Sequence, residues 1–113
     1  MKYKNFETLK KNDDFQAVYR TRNSRATKLL VMYARENQAG TIRLGVSVSK
    51  KVGNSIVRHR LARLIREAFR LHADEVKIGY DIVVVARTGL KNKGYFETED
   101  AMMQLLKEQD LLV

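Results

Sequence analysis

Between residues 50 and 70 the chain reads "KKVGNSIVRHRLARLIREAFR", seven basic residues with one acid. Lys50, Lys51, Arg58, Arg60, Arg63, Arg66 and Arg70 stand against Glu67, so most of the formal net charge of +9 is gathered in this one stretch. Charge concentrated this way is the footprint of a polyanion site, whereas a merely solvated helix face mixes signs so that i, i+4 pairs form. Here Arg63 and Glu67 make the one evident pair. Arginine rather than lysine at five positions favours planar, bidentate contact with phosphate. The preceding "SKKVGNS" adds two lysines and backbone N–H groups at a helix start, a second place for phosphate, although it lacks the G-K-[ST] of a P-loop.

Residues for self-contained catalysis are scarce. His59 and His72 are thirteen positions apart without an H-E-x-x-H, and the absence of cysteine removes disulfides and thiolate metal sites. Asp13 and Asp14, and Glu97, Glu99 and Asp100, fall at helix starts, where the helix dipole already accounts for them. The residues favour a binding protein over a self-sufficient catalyst. Phe15, Tyr19 and Tyr33 have two readings: plain core, or the wall of a groove, with Arg43 and Ser47 on the sheet beside it, that contacts an unpaired strand.

The elements that must position these groups follow from periodicity. Asn12 caps a first amphipathic helix carrying Phe15, Val18 and Tyr19 at i, i+3, i+4. "KLLVMYARE" is rich in strand formers and ends in the turn "NQAG". "TIRLGVSVSKK" then alternates, with Ile42, Leu44, Val46 and Val48 on one face, predicting a half-buried antiparallel strand hairpinned to the one before. Asn54 or Ser55 caps the basic helix. With Arg58 at zero and about 100° per residue, Val57, Leu61, Leu64, Ile65, Ala68 and Phe69 fall roughly between 240° and 20°. Arg66, His59, Arg70, Arg63 and Arg60 fall roughly between 80° and 200°, an almost purely cationic face. "YDIVVVAR" reads as a strand buried on both faces, and Ala101, Met102, Leu105 and Leu106 line a final helix.

The order α, β, β, α, β, α predicts an α+β fold, a mixed sheet with helices packed on it, within one domain spanning 1–113. At 44% hydrophobic and 31% charged residues, with no proline, the composition is that of a folded globular protein. No apolar stretch follows the N-terminal lysines as in a signal peptide, and the longest apolar runs are strand-sized. The simplest expectation is a cytoplasmic protein with no membrane partner.

The stretch "VSKKVGNSIVRHRLARLIREAFR" resembles the signature of the protein subunit of bacterial ribonuclease P, S-K-K-x-G-N-A-x-x-R-N-R-x-K-R-x-I-R. "LKKNDDFQAVYR" is similar to that family's first helix, "SRATKLLVMYA" to its first strand and "YDIVVVAR" to the strand after the basic helix. The resemblance implies an α-β sandwich, ribosomal protein S5 domain 2-like, with a mixed central sheet of about four strands, three helices and a left-handed βαβ crossover. It also implies a role in a ribonucleoprotein endonuclease that removes the 5′ leader of precursor tRNA, with catalysis by the RNA subunit and its Mg²⁺. Contact with the catalytic RNA is implied for Lys50, Lys51, Gly53, Asn54, Arg58, His59, Arg60, Arg63 and Arg66. Contact with the leader is implied for Phe15, Tyr19, Lys28 and Tyr33. The sequence departs from the family pattern where His59 replaces an asparagine and Ala62 a lysine, and where Ala26, Thr27 and Lys28 stand for Ala-Asn-Arg and Leu30 for an aromatic. The competing reading is a structural or ribosomal RNA-binding protein with no part in cleavage; a DNA reader is disfavoured because the arginine helix lacks a helix-turn-helix partner.

Overall fold

The computed structural model describes residues 6–113. In chain order its elements are β1 (Glu7–Thr8), α1 (Asn12–Arg20), β2 (Ser24–Ala26), β3 (Leu30–Glu36), β4 (Ile42–Ser47), α2 (Ser55–His72), β5 (Tyr80–Ala86) and α3 (Tyr95–Glu108). Short 3-10 turns at Ala73–Glu75 and Thr88–Leu90 flank β5. The strands form one sheet in the order β1-β4-β5-β3-β2. β5 pairs parallel with β4 and antiparallel with β3, while β1 runs parallel to β4 and β2 antiparallel to β3.

This corrects the predicted hairpin. β3 and β4 do run in opposite directions, but β5 lies between them, and both partners of β4 among the described residues are parallel. The loop joining β3 to β4 straddles the start of β5: Asn37 N–H donates to the Gly79 carbonyl at 2.8 Å and Gly79 N–H donates to the Thr41 carbonyl at 3.0 Å. Alternation along a strand reports which face each side chain takes, and carries nothing about which strand lies alongside. The sheet has five strands rather than about four because two- and three-residue strands, β1 and β2, are too short to show a period. At the start of α1 the cap position is Lys11, with extended backbone and no capping side chain; Asn12 is already helical.

Both sheet faces are covered. On one, α2 and α3 bury Leu61, Ile65, Phe69, Met102 and Leu105 against Met32, Leu44, Ile82 and Val84. Burial of that many large apolar side chains, each worth about 1.5–3 kcal/mol, is the main driving force for this layer. On the other face, α1 forms a smaller cluster of Val18 with Leu9 and Val83, flanked by Phe15, Tyr19, Tyr33 and Val85. β5 is therefore the strand with apolar residues inward on both sides, as its unbroken run predicts.

Candidate nucleic-acid interface

The start of α2 is fixed by two residues. The Asn54 side chain accepts a hydrogen bond from Val57 N–H at 3.0 Å, an N-cap that satisfies one of the helix's orphan donors. At Gly53 a Cβ would come within 2.7 Å of Val57 Cγ1, so this position has room only for glycine unless the helix start shifts. Both therefore have work within the fold that the signature alone does not reveal. Ahead of them, Lys50 and Lys51 are exposed on the loop leaving β4.

Along α2 the angular reading holds. Leu61, Ile65, Ala68 and Phe69 are buried, Val57 and Arg58 half-buried, and His59, Arg60, Arg63, Arg66 and Arg70 exposed. The side chains of Arg58, Arg63 and Arg66 make no hydrogen bond or ion pair among the described residues, which leaves their guanidinium groups available to an outside anion. The expected Arg63–Glu67 pair is replaced: Glu67 accepts two hydrogen bonds from Arg70, at 2.7 and 3.2 Å, while Arg63 acts on it only at longer range. The fork of Arg70, one turn on, reaches both carboxylate oxygens, and it holds the Glu67 carboxyl below its ordinary range. Arg60 is committed as well, donating to the backbone carbonyls of Lys91 and Lys93 at 2.6 and 3.2 Å. A groove of about 780 Å³ runs along this face, its cationic wall from α2 and its far side from Phe6 and Thr8. Ile56, 79% exposed, sits among the arginines.

The second candidate surface lies across the sheet. Strand register puts Tyr33, Val83 and Gly45 in one row, with Val31, Val85 and Ser47 in the next. Tyr33 stacks edge-on against Tyr19 with ring centroids 4.9 Å apart, and Phe15 lies 6.4 Å from Tyr19. The Phe15 ring closes over Gly45, where a Cβ would come within 2.7 Å of it. Burial raises the Tyr19 hydroxyl pKa, with Tyr33 adding to the effect and a hydrogen bond from Ser47 opposing it. All three aromatics are half-buried. They pack against the small core of Leu9, Val18 and Val83 and each keeps part of its ring surface exposed.

Arg43 lies on the same sheet face, one register row before Gly45, and its guanidinium grips the buried Asp81 at 2.7 Å through both Nε and Nη2, with Arg35 and Asn37 completing the cluster. Burial works against the Asp81 charge, but these donors outweigh it and the carboxyl is held below its ordinary value. Lys28 is exposed in the turn between β2 and β3, five residues before Tyr33 along the chain. That turn is tied to the end of β5, Arg87 donating to the Thr27 carbonyl at 2.8 Å.

Sequence reasoning also passed over His72. Its Nδ1 meets Glu75 Oε2 and its Nε2 meets Glu99 Oε2, each at 2.7 Å, so both ring nitrogens are engaged and α2 is tied to α3. The Glu99 hydrogen bond raises the His72 pKa, against burial and with help from Glu75. Among the described residues no three His, Cys, Asp or Glu gather as a metal site would require.

A family model described as Ribonuclease P matches residues 3–110. The chain belongs to the ribonuclease P protein family. The ribonuclease P protein component of Lachnoclostridium phytofermentans is 52% identical over 101 residues, covering 89% of this chain and 87% of that one. That of Alkaliphilus oremlandii is 47% identical, covering 92% and 91%. Among solved structures, the ribonuclease P protein of Staphylococcus aureus superposes with a TM-score of 0.86 at 34% identity, covering 94% of this chain and 97% of that one. That of Thermotoga maritima gives 0.82 at 29%, covering 90% and 96%. The mixed sheet flanked by three helices is thus the ribonuclease P protein fold, and the chain's function is in tRNA 5′-leader processing with RNA as partner. No helix among the described residues is long and apolar enough to cross a membrane.

Proposed function

We propose that this ribonuclease P protein acts in the cytoplasm as the non-catalytic subunit of a ribonucleoprotein endoribonuclease. The α2 face docks the catalytic RNA, and the cleft between α1 and the sheet receives the single-stranded 5′ leader of precursor tRNA. The observation that carries this reading is the α2 face itself: Arg58, Arg63 and Arg66 without an ion pair among the described residues, beside exposed Lys50, Lys51 and His59. Such a face neutralises phosphates and offsets the repulsion between two RNAs brought together. The aromatic cleft supplies what an unpaired strand needs, ring faces and edges against which bases stack. Mg²⁺ belongs in this reading to the RNA subunit, whose phosphates would hold it for the cleavage step. Asp81, Glu97 and Glu99 are engaged instead in ion pairs and a helix cap.

The test is cleavage of a precursor tRNA by a bacterial ribonuclease P RNA at low Mg²⁺, with and without the chain. Added protein should restore cleavage at the mature 5′ end. RNA binding with no stimulation of cleavage would make the protein a structural RNA binder instead.

A further inference from the structure

Arg60 stands on the cationic face of α2, yet its guanidinium is turned to another segment of the chain. Nη2 donates to the Lys91 carbonyl at 2.6 Å and Nη1 to the Lys93 carbonyl at 3.2 Å. Those carbonyls belong to the loop that leaves the 3-10 turn Thr88–Leu90 and enters α3. A planar fork holding two alternate carbonyls fixes both the position and the direction of a short loop, which a single flexible contact would not do. The loop so held carries two exposed lysines, Lys91 and Lys93. Directly after it, in the first turn of α3, Phe96 is 76% exposed, its ring 5.6 Å from Tyr95 in an edge contact. An exposed phenyl ring beside a run of lysines is costly in water and useful against RNA, since every base has a face to stack and every phosphate a charge to meet.

We infer that Arg60 is a positioning residue that latches residues 91–94 to α2, and that Lys91, Lys93 and Phe96 thereby extend the RNA-docking surface beyond the helix. Lys91 and Lys93 meet phosphates, and Phe96 receives an unpaired base of the catalytic RNA. The inference rests on the reading of α2 as the face that docks that RNA.

The experiment measures binding of the full chain to a bacterial ribonuclease P RNA across a range of salt concentrations. Arg63→Ala with Arg66→Ala, which leaves the loop alone, reports on the α2 face. Lys91→Ala with Lys93→Ala should lower the salt slope by about 1.5, the loss of two phosphate contacts. Phe96→Ala should weaken binding about tenfold with the slope unchanged. Arg60→Ala should weaken wild-type binding but add almost nothing in a background carrying Lys91→Ala, Lys93→Ala and Phe96→Ala together, because its effect passes through the loop and the ring that follows it. An Arg60→Ala effect that is undiminished in that background would make Arg60 a direct phosphate ligand and overturn the latch.

A second measurement does not depend on affinity. The chain has no cysteine, so Asn92→Cys gives a unique attachment point for a photo-crosslinker. Crosslinks to the RNA that fade on adding Arg60→Ala support the inference, and their absence defeats it. If Arg63→Ala with Arg66→Ala weakens binding while the loop and Phe96 variants do not, the extension fails and the helix reading stands. If none of them matters, both fall together.

Discussion

At the scale of single residues, the signature positions divide into those that hold the fold and those that face outward. Asn54 caps α2 and Gly53 makes room for Val57, so their presence beside the lysines is explained before any RNA is considered. Asn54→Ala should cost about 1 kcal/mol, lowering the melting temperature by several degrees in a thermal unfolding scan. Any loss of RNA affinity in that variant should be recovered by Asn54→Ser, which restores the cap without the amide and adds no charge. Of this, the cap was legible in "GNS" before a periodic run. The crowding of Gly53 against Val57 was not, because it depends on the backbone path into the helix rather than on residue type. Arg60 shows the converse: its charge and angular position were read correctly, yet its partners are carbonyls 31 and 33 residues away.

At the scale of elements, the join between α2 and α3 depends on protonation. His72 bridges Glu75 and Glu99, and its folded pKa is raised above the ordinary 6.5. A raised value means that its stabilisation is complete below pH 6.5 and is lost as pH climbs through the folded pKa. Glu99 has the opposite sign: held below its usual 4.5 chiefly by the His72 hydrogen bond, it contributes above that value and loses its effect as pH falls through the folded pKa. The bridge is therefore strongest between roughly pH 4.5 and 6.5 and weakens on either side. Melting temperatures across pH 4–8 should show His72→Asn losing most, relative to the wild type, inside that window. Equal losses at every pH would mean that the ring acts by packing alone. Nothing in the sequence pairs His72 with Glu99, since they lie on different helices and meet only when both pack on the sheet.

At the scale of the whole molecule, the sheet separates two surfaces: the arginine face of α2 on one side, the aromatic cluster under α1 on the other. Both belong to a body of about 35 × 33 × 22 Å, small enough to touch two RNAs in one assembly. Sites this far apart with no shared partner should act independently. Arg63→Ala with Arg66→Ala should weaken binding of the catalytic RNA and leave unchanged the preference for leader-bearing over mature tRNA. Tyr33→Ala should reduce that preference and leave RNA-subunit binding intact, and the combined variant should show the sum in equilibrium binding. A strong departure from additivity would show that the two surfaces communicate. Clustered charge, the faces of α2 and α3 and the buried character of β5 were determined by the sequence itself, because periodicity and composition are local properties that survive in any packing. Only the tertiary structure decided that β5 separates β3 from β4, that Arg43 belongs to Asp81 and Arg60 to a distant loop, and that three aromatics meet in one cluster. Those are contacts between segments remote in the chain, and a partner chosen by packing leaves no mark on the spacing of either segment alone.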